Sequence, residues 1–305
     1  VVEGRRTVGE QAGHAQVQLW RALPKLERLN GEEEAGAVGE MPAGFSSGCA
    51  GRQKKELRIA MNVNKNTCGY AHEQVGLILP ASLCSAQAAR LIAGQMMRKG
   101  VGSGAGLTRY VALMHTEGCG SSPNTDELLV RTLAGYLRNP LVRLALVVEH
   151  GCERTLNDML KRGFADYGID PASLGWASVQ MDGGLQGALK QAEAWFSAQT
   201  AGMAPLERFS AGWEALRLGI LLDDTVSDTL LCALDGLIAS ATDAGGMVVV
   251  MQPGRTRCHS MKYETIDFAG YPYEHGLYIM RTPTRQRTEK LGGQGADGGS
   301  VHLAA

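Results

Sequence analysis

The sequence lacks any apolar run of about 18 residues, the length a membrane-spanning helix needs, so no membrane is expected as a partner. It also lacks a basic block. Its 30 Lys and Arg face 31 Asp and Glu, for a formal net charge of -1, and the longest basic cluster, Arg52 to Lys55, reads as a solvated linker face. Nucleic acid is therefore not expected as a partner, since nothing here could neutralise a row of phosphates. No Cys-x-x-Cys pair occurs, which removes zinc-finger logic. Gly100 to Gly106 alternates glycine without the Gly-Lys-Ser/Thr of a phosphate loop and is expected to be a surface loop. The 7 cysteines, odd in number and irregular in spacing, make no disulfide framework. Free thiols suit a reducing compartment. The opening Val-Val-Glu-Gly-Arg-Arg has no signal-peptide pattern, so a cytoplasmic location is expected.

What is present points to a globular α/β protein. Hydrophobic residues make up an ordinary 44%, while 40 glycines suit many tight turns between strands and helices. A chain of 305 residues is long enough for two lobes. Residues 1–56 carry no sustained period and read as a linker or poorly ordered arm. Residues 57–202 read as a first α/β lobe and 203–305 as a second, more divergent one, divided near Thr200 to Pro205. The expected architecture is two lobes with mainly parallel, Rossmann-like sheets flanked by helices. Because the chain opens on Val1 rather than Met, a piece of a longer protein is an expectation too.

Periodicity places the elements. Leu57 to Val63 is expected as an edge strand, and Gln74 to Leu79 as a buried strand stopped by Pro80, with a helix from Ser82 to Lys99. Tyr110 to Met114 and Leu144 to Val148 have strand length. Between them, Asp126 to Leu137 places leucines at helical spacing, with Ser122 or Asn124 as N-cap and Asn139-Pro140 as the stop. A helix over Thr155 to Phe164, a strand over Trp176 to Met181 and a helix over Leu185 to Gln199 follow. Further on come a helix over Thr225 to Thr242 and strands over Gly246 to Met251, Leu277 to Met280 and Val301 to Ala304.

Strands joined by a crossover helix run parallel, so their carboxyl ends share one edge, where open α/β sheets bind ligands. The residues collected there are Cys84, then His115 and Cys119, then His150, Cys152 and Glu153, then Asp182. Gly118 and Gly120 flank Cys119 and permit close approach by a ligand. Two histidine turns on adjacent parallel strands are the strongest sign of a site. A divalent ion held there by imidazole, thiolate or carboxylate could polarise a substrate carboxylate, and a nearby His or Glu could take the neighbouring proton. Set against this, a lone Cys84 at a strand end is more often a small buried hydrophobe.

The motifs also carry a family resemblance. His115-Thr-Glu-Gly-Cys-Gly120, Arg131-Thr-Leu-Ala-Gly-Tyr136, Asn139-Pro140 and Leu146-Val-Val-Glu-His-Gly-Cys-Glu153 stand in an order and spacing that resemble the altronate and galactarate dehydratases, the sugar-acid hydro-lyases. Gly76-Leu-Ile-Leu-Pro80 with Cys84, and Asp182-Gly183-Gly184, extend the likeness. It is fainter through Gly245-Gly246 and Gly276 to Leu303.

The resemblance implies a carbon–oxygen lyase that removes water from a sugar acid to give a 2-keto-3-deoxy acid, with iron(II) as cofactor and manganese as second candidate. It implies His115 and Glu153 in proton transfer, His115, Cys119, Cys152 and Cys84 as metal ligands, and Gly118, Gly120, His150 and Asp182 about the substrate, in a chain that could form a homo-oligomer. The alternatives are an inactive homologue that keeps the fold for binding or assembly, and a lyase that eliminates sulfite from a sulfo-acid. Departures bear on that choice. Where relatives carry Cys-Gly-Gly-Ser-Asp, this chain reads Trp213 to Asp224 without Cys, Gly-Gly or Ser. Their Glu-Lys-Ser stretch, their small N-terminal domain and their final Thr-Gly-Arg-Gly turn are also missing.

Overall fold

A computed structural model describes residues 60–119, 123–221, 228–251, 261–267, 270–272, 274–281 and 301–304. The expected N-terminal arm, Arg52 to Lys55, Ser122 as a cap and the glycine-rich stretch before Val301 lie outside the described residues.

Among these residues the chain order is β1 (Met61–Asn66), β2 (Gly69–Ala71), β3 (Val75–Pro80), α1 (Ala86–Lys99), β4 (Arg109–Ala112), α2 (Pro123–Leu137), β5 (Val142–Glu149), α3 (Asn157–Asp166), β6 (Gly175–Ser178) and α4 (Leu185–Thr200). Then follow β7 (Phe209–Ala211), β8 (Arg217–Leu221), α5 (Asp228–Asp243), β9 (Met247–Met251), β10 (Glu264–Ile266), β11 (Gly276–Met280) and β12 (Val301–Ala304). The fold is α/β, with two parallel sheets flanked by helices. The first has strand order β4-β3-β5-β6 and the second β10-β11-β9-β8-β12, parallel throughout.

Side-chain alternation along the strands explains the layering. Val75, Leu77 and Leu79 of β3, with Ala145 and Val147 of β5, face a core that also holds Leu129 and Leu133 of α2 and Leu160 and Phe164 of α3. Ile78, Leu146 and Val148 point the other way, onto Ile92 and Met96 of α1 and Leu189 and Phe196 of α4. The second sheet repeats the pattern. Met247, Val249, Met251, Tyr278 and Met280 join the core that holds α2, whereas Val248, Val250, Leu277 and Ile279 pack with Leu234 and Ile238 of α5. One apolar core thus contains residues of both sheets.

Three expectations are corrected. Residues 61–66 form no edge strand of the first sheet; β1 pairs antiparallel with β2 and β7 in a separate three-stranded sheet. The polar Asn64 and Asn66 account for this, because their side chains bond to Gln74 and to the carbonyl of Pro140 across the amino edge of the first sheet. Asn124 lies inside α2 rather than capping it. The two histidine turns do not follow adjacent strands either, because β3 lies between β4 and β5. All six residues of β3 are buried, and such a strand belongs at the centre of a parallel sheet.

Candidate functional site

The order β4-β3-β5-β6 makes the gap between the carboxyl ends of β3 and β5 a topological switch point. The chain leaves β3 towards one face and β5 towards the other, which opens a crevice for a ligand. The amino ends of α1, α2 and α3 follow the carboxyl ends of β3, β4 and β5, so the partial positive charge of each helix lies towards that edge and favours anions and thiolates there.

The loop after β3 is held tightly. The Ala81 amide donates to Val148 O at 2.8 Å, which carries the loop towards the end of β5. Ser82 is fully buried, and its hydroxyl accepts from the Cys84 amide at 3.1 Å and donates to Glu153 Oε1 at 3.2 Å. Ser85 closes the reciprocal pair, its Oγ accepting from the Ser82 amide at 3.1 Å. The turn thereby presents Cys84 outward.

The loop after β4 docks on the same point. Leu83 N donates to Glu117 O at 2.9 Å, and Arg154 N to Gly118 O at 3.1 Å. Gly118 has φ +91°, and a Cβ there would stand 2.6 Å from both Ala81 O and Thr155 Oγ1. Glycine is therefore required to bring three loops together, and it leaves Cys119 at the mouth. The Thr155 hydroxyl donates to Ala81 O at 2.6 Å and ties the loop after β5 to the one after β3.

Glu153 organises the third loop. Its buried carboxylate accepts from the amides of His150 at 2.7 Å, Gly151 at 2.6 Å and Cys152 at 2.9 Å, besides Ser82. Burial disfavours its charge, but these donors prevail and lower its pKa. Both oxygens are thus engaged in shaping the loop. His115 is placed similarly: Nε2 donates to Pro80 O at 2.8 Å and Nδ1 accepts from the Glu117 amide at 3.3 Å. Burial lowers its pKa, in keeping with a neutral imidazole that fastens β3 to the next loop.

Three thiols converge above this scaffold. Cys84 Sγ lies 2.8 Å from Cys119 Sγ, and the Cys152 thiol also bears on Cys84. The neighbouring Cys119 thiol is the main cause that pushes Cys84 up to about 12. Burial opposes charge on Cys119, yet hydrogen bonds from the Cys84 thiol, Ser82 and the Cys84 backbone amide lower its pKa. All three cysteines are exposed and free. Beside them His150 Nδ1 is buried and has no hydrogen-bond partner among the described residues. One donor atom each from His150, Cys152 and Glu153 lies within 4.8 Å of the others, a grouping able to hold a metal ion.

Of the residues expected at the site, Cys84, Cys119, His150, Cys152 and Glu153 come together, with His115 and Gly118 behind them. Asp182 lies in the turn after the neighbouring strand β6, where its carboxylate accepts from the Ser178 amide at 2.7 Å. Gly120 lies outside the described residues. Ser82 and Thr155 were not singled out from sequence. The usable signal was a hydroxyl residue two positions after each strand-end motif, in Pro80-Ala-Ser82 and in Glu153-Arg-Thr155.

Thiols, an unpartnered imidazole nitrogen and helix amino ends are gathered at the switch point of this parallel sheet, the edge at which open α/β sheets bind ligands. Residues 75–203 match the family model described as D-galactarate dehydratase/Altronate hydrolase, second domain. The matched stretch runs from the start of β3 to just beyond α4. No curated protein matches the chain.

Proposed function

We propose that the chain is a sugar-acid hydro-lyase of the altronate or galactarate type, releasing water to leave a 2-keto-3-deoxy acid. The observation that carries this reading is the open His150 Nδ1 beside three thiols at the switch point, inside the stretch that matches the family. The helix amino ends receive the substrate carboxylate. His150 Nδ1 takes the proton from the carbon that bears it. The electron pair left behind forms the carbon–carbon double bond as the hydroxyl on the next carbon departs with a proton as water, and the enol rearranges to the keto acid. Glu153, His115, Ser82 and Thr155 act as positioning residues, since their polar atoms already hold the three loops.

The donor set fits a soft metal centre. Cys84, Cys119 and Cys152 would hold it, and iron suits thiolates better than manganese does. When bound, such a centre supplies Lewis acidity for the carboxylate and the departing hydroxyl. Five cysteines outside any disulfide among the described residues support a reducing compartment such as the cytoplasm. No helix among the described residues is long and apolar enough to cross a membrane.

The test is anaerobic assay of the iron-supplied protein with altronate and with galactarate, reading formation of the keto acid. Product with either acid, lost in His150→Ala, is the expected result. No product with both would overturn the reading. An inactive homologue is the second reading, and one observation favours it: Leu218, Ile220 and Leu221 of β8 are all buried in apolar cores, in the segment where relatives carry polar site residues. Asp223 and Asp224 lie outside the described residues.

A further inference from the structure

We infer that Gln180 is a substrate-binding residue, its side-chain amide taking a hydroxyl of the sugar-acid chain beyond the two reacting carbons. The inference deepens the hydro-lyase reading and rests on it for the substrate class.

The backbone sets Gln180 beside the reacting groups. The pairing of β5 with β6 ends at Glu149 and Ser178, yet the hydrogen bonding continues past the strands. The Val179 amide donates to Glu149 O at 2.9 Å, and the Gln180 amide to His150 O at 3.1 Å. The turn that follows is closed on itself, with Asp182 N on Ser178 O at 2.9 Å and Gly184 N on Val179 O at 2.8 Å. Gln180 is therefore held at a fixed place against the loop that carries His150 and Cys152.

Its side chain then crosses Gly151. A Cβ built on Gly151 would stand 2.8 Å from both Cδ and Oε1 of Gln180 and 2.9 Å from its Cβ, and Gly151 has φ +110°. A larger residue at 151 would push the carboxamide away, so glycine leaves the place that the glutamine fills. The amide thus lies on the one residue that separates His150 from Cys152.

Chemistry narrows the ligand. In the same turn Met181 is apolar, Gly183 and Gly184 bear no side chain, and Asp182 is turned back onto its own strand, where it accepts from the Ser178 amide at 2.7 Å. The Gln180 side chain is exposed and makes no hydrogen bond among the described residues, which keeps an acceptor and two donors available. An uncharged amide does not compete with the helix amino ends for the substrate carboxylate. A hydroxyl, which donates and accepts at once, is the group that it matches. With the carboxylate at the helix amino ends and the reacting carbon at His150 Nδ1, the rest of the acid passes over Gly151 towards β6, and a chain hydroxyl meets Gln180.

The test is calorimetric titration of the anaerobic, iron-supplied full chain with altronate, galactarate and glycerate, with keto-acid formation followed alongside. Glycerate has the carboxylate and both reacting carbons but no hydroxyl beyond them. Gln180→Leu keeps a branched end over Gly151 and removes the polar atoms. Altronate and galactarate should bind about tenfold more weakly to it, while glycerate stays within about twofold of wild type. KM for the longer acids should rise by the same factor with kcat nearly unchanged, because the contact is made equally before and during reaction. An unchanged urea midpoint shows separately that the loop is undisturbed. Equal weakening of all three acids, or unchanged binding of the longer two, would overturn the inference and leave the hydro-lyase reading standing. Selective weakening without keto acid from the wild type would uphold Gln180 as a binding residue and remove the hydro-lyase reading. A wild type that binds none of the acids would overturn both.

Discussion

The two edges of the first sheet are built from the same strands and do opposite things. At the amino edge, polar side chains join separate elements. Arg109 Nη2 bonds Glu73 Oε1 at 2.6 Å, and Thr108 donates to the same carboxylate at 2.8 Å. Arg217 at the start of β8 donates to the Tyr271 hydroxyl at 2.9 Å, which donates in turn to Arg138 O at 3.0 Å, so the second sheet is fastened to the first. At the carboxyl edge the hydrogen bonds lie beneath the surface, in Ser82, Glu153 and Thr155, while three thiols stand exposed and one buried imidazole nitrogen has no hydrogen-bond partner among the described residues. The amino edge serves cohesion. The carboxyl edge is a rigid support for groups that contribute nothing to folding, as a functional loop cluster should be.

Breaking the support should have the largest effect on stability. Glu153→Ala leaves three loop amides and the Ser82 hydroxyl without their acceptor, and we expect a loss of about 3–5 kcal/mol in urea unfolding. A loss below about 1 kcal/mol would show that the loop is held by something else. Next comes Gly118→Ala. The new methyl would meet Ala81 O and Thr155 Oγ1 at a positive φ, so a loss of about 2–3 kcal/mol is expected from thermal or urea unfolding. Wild-type stability in that variant would show that the loops have room to part.

How much of this was legible from residues follows from the same contrast. The parallel strands from Val75 to Ser178 announced themselves, because buried strands need Val, Leu and Ile in short runs and crossover helices need leucines at helical spacing. Cys119, Cys152 and His150 were legible as well, since residues that serve no packing stand out at strand ends, whereas Cys84, read as more often a small buried hydrophobe, is exposed because the Ser82 turn presents it outward. Strand order was not. Whether β3 or β4 neighbours β5 is decided by helix packing on both faces, and no local period records it. The roles of Glu153 and His115 were hidden for a related reason: a carboxylate that ligates and one that staples backbone amides are the same letter. Only the amides of residues 150 to 152 closing on Glu153 distinguish them. Residues 61–71 misled because Asn64 and Asn66 pair across elements distant in sequence.

The amino edge makes a smaller, pH-dependent prediction. Burial disfavours charge on Glu73, but the His72 imidazole 3.6 Å away, hydrogen bonds from Arg109 and Thr108, and the charge of Arg109 hold its pKa at about 2 against 4.5 unfolded. The carboxylate therefore stabilises the fold above pH 4.5, and that contribution is lost as pH falls through about 2. Discounted for partial solvent screening, it amounts to about 1–2 kcal/mol. Urea midpoints followed from pH 6 to pH 2.5 should decline less in Glu73→Gln than in wild type. Equal declines would place the acid sensitivity elsewhere.

The smallest effect on stability should come from His150, and that smallness is the sharpest form of the comparison. Its Nδ1 makes no hydrogen bond among the described residues, whereas its backbone amide is the part that binds Glu153. His150→Gln keeps the amide and roughly the volume, so the unfolding free energy should move by less than about 0.5 kcal/mol. If the nitrogen is the proton acceptor, formation of keto acid should fall about 10²–10⁴-fold with the fold intact. At the amino edge the same logic predicts the reverse for Arg109→Gln, in which stability drops and turnover of the surviving folded protein is unchanged. A His150→Gln variant that lost stability but kept turnover would place His150 with the residues that hold the fold together, and the carboxyl edge would then differ from the amino edge only in its thiols.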